Sequence, residues 1–402
     1  MRRVVTLALC ALTLTPASAV GAIRYVLQSG IDTPNDSCLQ ATPCRTVNKA
    51  IQVAGPGDTI RLGKGKFFES GLFVGKNLTI EGQGIFKTWI VGSPNWGGGR
   101  VFTIAPDADV LIRRLQIQKG VGDFGGGIRN FGTLELEDVW LRQNIADAGG
   151  GIFSSGSLTL RRVEVALNRG QGGVYNNNGV AVILDSRIAA NRGGGIVNSF
   201  SELTLVNSVV VANVAFEDAR TTSLGHGLLV LDGTATAINS TISGNQGSGL
   251  QAVSNGSALL SHVTIARNSA GISVDASGNV SLINTIVALN ELADCQQQLG
   301  QISGTHSLVG VGCLDFPTPD NVIGVPAKLA GLAPNDHPIA WTHALLPGSP
   351  AIDSASAEHC LAVDQRGVAR PKDGDGDGVA HCDMGAFELI APGNERGGRG
   401  GR

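Results

Sequence analysis

The sequence predicts a single-stranded, right-handed parallel β-helix with three short strands per coil, roughly ten coils and a short helix capping its N-terminal end. Three observations predict it. The wording of "DAGGGIFSSGSLTLRRVEVALNRGQGG", residues 147–173, returns at "GGGIRNFGTLELEDVWLRQN", "GGVYNNNGVAVILDSRIAAN" and "GGGIVNSFSELTLVNSVVVAN". A repeat of this length marks a stacked array. Its asparagines stand at 144, 168, 191, 213, 245, 268 and 290, in steps of 24, 23, 22, 32, 23 and 22 residues. Finally, aromatics make up only 4% of 402 residues while glycine supplies 57, which suits thin layers better than a core of large rings.

The columns counted from these asparagines define the elements. Three residues before them stand Leu141, Val165, Ile188, Val210, Ile242, Ile265 and Val287; eight before stand Leu136, Leu160, Ile183, Leu205, Ala237, Leu260 and Leu282. An apolar residue after glycine keeps the same beat: Ile128, Ile152, Val174, Ile196, Leu228, Leu250 and Ile272. The residues between these columns vary, which is the period-2 signature of short strands with one face inside. Each unit is too thin to close a core, but stacked units bring like columns together about 4.8 Å apart. Coils between residues 46 and 295 would make a rod on the order of 50 Å long. Glycine permits a left-handed or crowded corner. Asparagine is the next best residue there, and its amide can bond to the one stacked above it. A second corner column, six before each asparagine, reads Asp138, Arg162, Asp185, Asn207, Asn239, His262 and Asn284.

The N-terminus "MRRVVTLALCALTLTPASAVGA" has the charged start, apolar run and Ala-Ser-Ala site of a secretory signal, assigned to residues 1–19. The domain expectation continues with an N-terminal cap and lead-in segment over 20–60 and repeats over 61–295. A C-terminal capping module over 296–390 and a disordered Gly/Arg tail over 391–402 complete it. Removing Arg2 and Arg3 takes the formal charge from -3 to -5, and setting aside the tail takes the body to -7, so general nucleic-acid affinity is not expected. Export leaves six cysteines for an oxidising compartment. Proximity favours Cys38 with Cys44, Cys295 with Cys313, and Cys360 with Cys382, among fifteen possible pairings. No stretch after the signal is long and apolar enough to span a bilayer.

Several stretches resemble known families. "GGGIFSSGSLTL" resembles the repeats of chlamydial polymorphic outer-membrane proteins and related surface β-helices. "PCRTVNKAIQVAGPGDTIRLGKGKFFES" is similar to the N-terminal segment of pectin-lyase-like β-helix proteins, where a short amphipathic helix, here Val47, Ala50, Ile51 and Ala54, caps the open end. "HALLPGSPAIDSA" followed by "DQRGVARPKDGDGDGVAHCDMGAFE" resembles the C-terminal module of bacterial choice-of-anchor Q proteins. Such proteins usually add a sorting signal after the module. Only "LIAPGNERGGRGGR" follows here, which favours free secretion over anchoring.

Three groups of residues could carry chemistry. In "DGDGDGVAHCD", Asp373, Asp375 and Asp377 alternate with glycines, so a tight loop can turn three carboxylates to one centre. A carbonyl near Val379 and the carboxylate of Asp383 would complete oxygen ligation suited to structural calcium. Met384 holds the place where a full calcium loop has glutamate. Next, the residues four before the asparagines should face outward: Trp140, Glu164, Arg187, Val209, Thr241, Thr264 and Ile286. Trp140 with Arg142, Glu164 and Arg187 could stack a sugar ring and hold a uronate, although Glu164 and Arg187 also suit an ordinary cross-strand pair. Third, the one long step carries "VAFEDARTTSLGHG", with Glu217, Asp218, Arg220 and His226 on a loop. Gly-His-Gly also occurs in polygalacturonase-like hydrolases, but their aspartate pair and Arg-Ile-Lys are missing. The central coils also lack the Asp triplet of pectate lyases, and the chain lacks the Asp-Pro-His-Asp of alginate epimerases and the Asn-Asn-Ser corner of alginate and chondroitin lyases. Tryptophans 89, 96 and 341 read as packing at the ends.

The expectation is therefore a secreted, non-catalytic monomer that binds extracellular or cell-surface polysaccharide or acts as an adhesin, with periplasmic or surface retention as variants. One alternative is a polysaccharide lyase or glycoside hydrolase with an atypical site at Glu217, Asp218 and His226. The other is an inert structural spacer, since one scaffold hosts all three.

Overall fold

A computed structural model describes residues 21–34, 36–92, 99–217, 222–275, 277–310, 312–313, 320–337, 339 and 341–391, except the side chains of 217, 222 and 223. The expected signal segment, Trp96, Asp218, Arg220 and the tail from 392 lie outside the described residues. The chain winds into a parallel β-helix whose three faces we call sheets I, II and III. Sheet III is a ten-stranded parallel sheet running from Leu72–Val74 to Ala293–Gln297. Sheets I and II join through Asp109–Gln118 and Thr133–Arg142, which bend from one face to the next at the left-handed residues Arg114 and Asp138. The helix Val47–Val53 closes the N-terminal end, burying Val47, Ala50 and Ile51 against the first coils. Thr46 caps it by accepting from the Lys49 amide, while Glu69 accepts from the Val47 and Asn48 amides, so three of its leading N–H groups are satisfied.

All three apolar columns stand in register. Leu136, Leu160, Ile183 and Leu205 are successive partners in sheet I, Leu141, Val165, Ile188 and Val210 in sheet II, and Ile128, Ile152, Val174 and Ile196 in sheet III. These residues are essentially fully buried, each a contribution of about 1.5–3 kcal/mol from removing its side chain from water.

The corners differ from expectation in one respect. The left-handed residue at the asparagine corner is the one before it, such as Gln143, Leu167, Ala190, Ala212 or Arg267. The asparagine itself turns inward. Each amide of Asn144, Asn168, Asn191, Asn213, Asn245 and Asn268 donates to the next asparagine's oxygen at 2.8–3.1 Å, and Asn290 ends the ladder on Asp294. The glycine before the core residue is needed because it faces this ladder: a Cβ on Gly173 would stand 2.6 Å from the Asn191 amide. The second corner column does adopt the left-handed region, with φ between 45° and 53° from Asp138 to Asn284.

The three disulfides join Cys38 to Cys44, Cys295 to Cys313 and Cys360 to Cys382. Among the described residues no helix is long and apolar enough to cross a membrane.

Candidate functional sites

Residues 327–389 lie along the side of the coil, on the outer face of sheet II. Ala327, Leu329, Leu345, Met384 and Phe387 pack against Ala266, Ile286, Ala288 and Leu308, while Leu332 and Trp341 pack against Ala166, Ala189, Val209 and Val211. Polar groups lock the contact. Thr241 donates to the Gln365 side chain at 2.6 Å, and the Thr264 hydroxyl accepts from the Ala386 amide at 3.0 Å. Asn284 accepts from the Ser356 amide at 2.7 Å. His343 directs Nδ1 to the Ala330 carbonyl, 2.8 Å away, leaving Nε2 to accept from Ser243 at 2.9 Å. Val209, Thr241, Thr264 and Ile286 thus point outward from the coil, as the column count requires, yet they are buried under this segment.

The segment reaches back along sheet II as far as Ala166 and Ala189, and the outward row before it is only partly exposed. Trp89, Gln116, Trp140, Glu164 and Arg187 occupy successive rungs of sheet II. The Arg142 guanidinium lies 4.1 Å over the Trp140 ring and is ion-paired with Glu164. Phe86 meets Trp140 edge-on at 4.9 Å, and Arg187 lies 4.5 Å over Trp341. The structure therefore brings Trp140, Arg142, Glu164 and Arg187 together. Their charges are already engaged: Arg142 with Glu164, Arg187 on a tryptophan. Trp89, expected as end packing, belongs to this row, and Trp341, expected likewise, packs over its Arg187 end.

Of the long coil's three candidates, only the His226 side chain lies among the described residues. Phe216–Glu217 pairs antiparallel with Thr222–Ser223 in a short hairpin, and Asp218 lies outside the described residues. His226 is half-buried with Nδ1 accepting from the Ser248 amide at 3.0 Å. Burial pulls its pKa down to about 4, so the ring is neutral at pH 7 and its acceptor nitrogen is already taken.

In the aspartate loop the convergent set is Asp353, Asp373 and Asp375, each of which places one carboxylate oxygen within 4.8 Å of the other two. Asp373 accepts from the Gly376 and Gly378 amides, and Asp353 from those of Gly374 and Asp375. The loop needs its glycines there, since Gly376 and Gly378 have φ of 84° and 94°. Asp377 instead accepts from Val379, whose side chain is exposed. Asp383 points the other way. It is fully buried, with its two oxygens accepting from the Asp353 and Leu389 amides, and it neighbours Glu388 and Arg370. Burial first, then the Glu388 charge, pushes its pKa up to about 8. Sequence spacing missed Asp353 because it sits 20 residues ahead of the loop, in "PAIDSA".

A second outward row, on sheet III, went unread because only the core residue of each strand was counted. The next residue gives Phe73, Thr103, Arg129, Phe153 and Tyr175 on successive rungs.

Comparison with known proteins agrees with this architecture. A family model described as a right handed beta helix region matches residues 101–257, and no curated protein matches the sequence. Among solved structures, pectate lyase Pel9A aligns with a TM-score of 0.63 at 14% identity, over 92% of this chain and 97% of that one. A complex of XylC with xylose aligns with a TM-score of 0.52 at 10% identity, over 92% and 98%. These matches, with the register above, make the fold a right-handed parallel β-helix.

Proposed function

We propose that the protein is a secreted, non-catalytic β-helix that binds an extracellular or cell-surface polysaccharide. The observation that carries this reading is the division of the outer surface. The C-terminal segment covers the outer face of sheet II from Ala166 and Ala189 onward, while the coils before it carry aromatic rings and arginines side by side on two faces. Aromatic faces pack against the C–H faces of sugars, and arginine forks match carboxylates. The fold is shared with a pectate lyase and with a protein complexed with xylose. On the long coil, His226 has its acceptor nitrogen engaged by the Ser248 amide, which leaves it none free for general-base work. Three disulfides accord with an oxidising, extracytoplasmic compartment.

We assign structural calcium to the aspartate loop. Three carboxylates held by backbone amides, with no ion pair to any of them among the described residues, suit a hard divalent cation with oxygen ligands. Asp353, Asp373 and Asp375 would hold it, and its charge would offset their mutual repulsion.

The test incubates the mature protein, with calcium, against plant, algal and animal polysaccharides. Unsaturated uronyl absorbance and new reducing ends are followed, with a pull-down from the same tubes. Binding without product is the expected result. Product from any polymer would replace this reading with a lyase or a hydrolase, and neither product nor binding would leave a rigid spacer.

A further inference from the structure

Sheet III carries a pair of arginines that its surroundings do not neutralise. Arg129 lies between two phenyl rings, 4.5 Å from the Phe131 centroid and 5.3 Å from that of Phe124. Among the described residues its buried Nε has no hydrogen-bond acceptor. Arg100 reaches the same place from the preceding coil, donating to the Phe124 carbonyl at 2.9 Å. Among the described residues neither arginine forms an ion pair. The one carboxylate acting on Arg100 is Asp123, and burial together with the Arg129 charge outweighs it, lowering the Arg100 pKa. Two half-buried guanidiniums held together in this way favour an anion between them. By contrast, Arg142 on sheet II already has Glu164.

The rings beside the pair form a platform. Phe124 and Phe153 meet at 5.0 Å, and Phe153 stacks on Tyr175 at 5.5 Å with an interplanar angle of 25°. Phe124 keeps 41% of its surface exposed, and Tyr175 is half-exposed. Phe153 between them is only 7% exposed, so an extended polymer lying along the rod, which climbs one rung, ~4.8 Å, at a time, meets the open parts of Phe124 and Tyr175 beside a fixed cationic step. The body of the chain has a negative formal charge, which opposes the general attraction on which nucleic-acid binding depends. A sugar polymer with spaced carboxylates suits two local cations beside aromatic rings better.

We propose that Arg100 and Arg129, with Phe124 and Tyr175, form a binding site for an acidic polysaccharide: the guanidiniums take a uronate carboxylate and the rings take the adjoining sugar face. This rests on the polysaccharide-binding reading and names its site and polymer class.

The experiment is affinity electrophoresis of the mature protein through gels containing polygalacturonate, alginate, dextran or duplex DNA. Wild type should be retarded by at least one acidic polysaccharide and not by dextran, and the retardation should weaken between 50 and 500 mM salt, concentrations we choose to span weak and strong screening. Arg100→Gln/Arg129→Gln should weaken binding about tenfold or more, and Tyr175→Ala several-fold (effects of the size expected for lost charge-assisted and aromatic contacts). The charge-matched Arg161→Gln/Arg162→Gln, at an ion-paired corner of sheet I, should bind as wild type. Retention of full affinity by Arg100→Gln/Arg129→Gln, with binding by wild type intact, would overturn the site and leave the wider reading standing. If the arginine variant fails to fold, salt-independent retardation of wild type overturns the charge pairing by itself. Stronger retardation by DNA than by any polysaccharide would overturn the choice of polymer. No retardation by any sugar polymer would remove the wider reading and this site with it.

Discussion

Asn191 stands in the middle of the buried ladder with no donor or acceptor left over. Its oxygen accepts from the Asn168 amide nitrogen and side chain, both at 3.1 Å, and its amide donates to Asn213 at 3.1 Å and to the Val165 carbonyl at 2.9 Å. Asn191→Ala would leave those partners buried and unpaired, at a cost of about 3 kcal/mol, whereas the exposed Asn279→Ala should stay within about 0.5 kcal/mol. Equal loss in urea unfolding would mean that the ladder fills space without stabilising. The position was legible in the sequence as a column; its inward turn was not, because a left-handed residue and its neighbour are one residue apart in any pattern count. His262 shows the same limit. It read as a corner residue, and its φ of 52° agrees, but Arg370 and His359 of the C-terminal segment sit near enough to act on it. Burial first, then those charges, lowers its pKa to about 3. The folded state keeps this ring neutral while the unfolded chain protonates below about 6.5, so its contribution is lost as pH falls from about 6.5 towards 3. The limiting slope is about 1.4 kcal/mol per pH unit. His262→Gln, which can still meet Asn284 and Ser261, should therefore lose less stability than wild type between pH 7 and 4. An unchanged slope would show that His262 already titrates freely.

At the scale of elements, the strands were legible because period 2 and the coil period reinforce each other in every repeat, as in Leu158, Leu160, Val163 and Val165. The aspartate loop was legible only in part. Alternating glycines announced a tight turn, and Asp373 and Asp375 do converge, but the third carboxylate comes from a separate turn at Asp353, whose own φ is 52°. Asp383 belongs to the buried polar cluster with Arg370 and Glu388, which no spacing rule within the loop could reveal. This division makes a prediction. With calcium filling the set, chelation should lower the melting temperature by several degrees, since a ligand that binds only the folded state adds RT ln(1 + [L]/Kd). Asp353→Asn should remove most of that response, whereas Asp377→Asn should keep it. A melting curve indifferent to chelator would dismiss the ion. A response lost in Asp377→Asn but retained in Asp353→Asn would restore the contiguous loop.

At the scale of the molecule, the C-terminal segment turns a symmetric coil into a body with one covered and one open half. A sign of this was present in the sequence. The outward row of sheet II changes from Trp140, Glu164 and Arg187 to Val209, Thr241, Thr264 and Ile286, and outward valine and isoleucine on a solvated face call for a partner. What could not be read was which residues supply it, because Gln365 and Ala386 meet Thr241 and Thr264 across 124 and 122 residues. The segment is therefore expected to stabilise the coil by covering apolar surface. Ending the chain after Gly324 would expose Val209, Val211, Ile286 and Leu308 on one flat face beside Thr241 without Gln365 and Asn284 without Ser356. A contiguous apolar patch on a regular sheet invites association, so the shortened protein should self-associate in size-exclusion chromatography with light scattering, bind a hydrophobic dye and melt at lower temperature. If it stays monomeric with the melting temperature of the full chain, the covered face is not held by burial. The junction would then be a removable contact, and the covered rungs of sheet II would have to be counted among the surfaces open to a ligand.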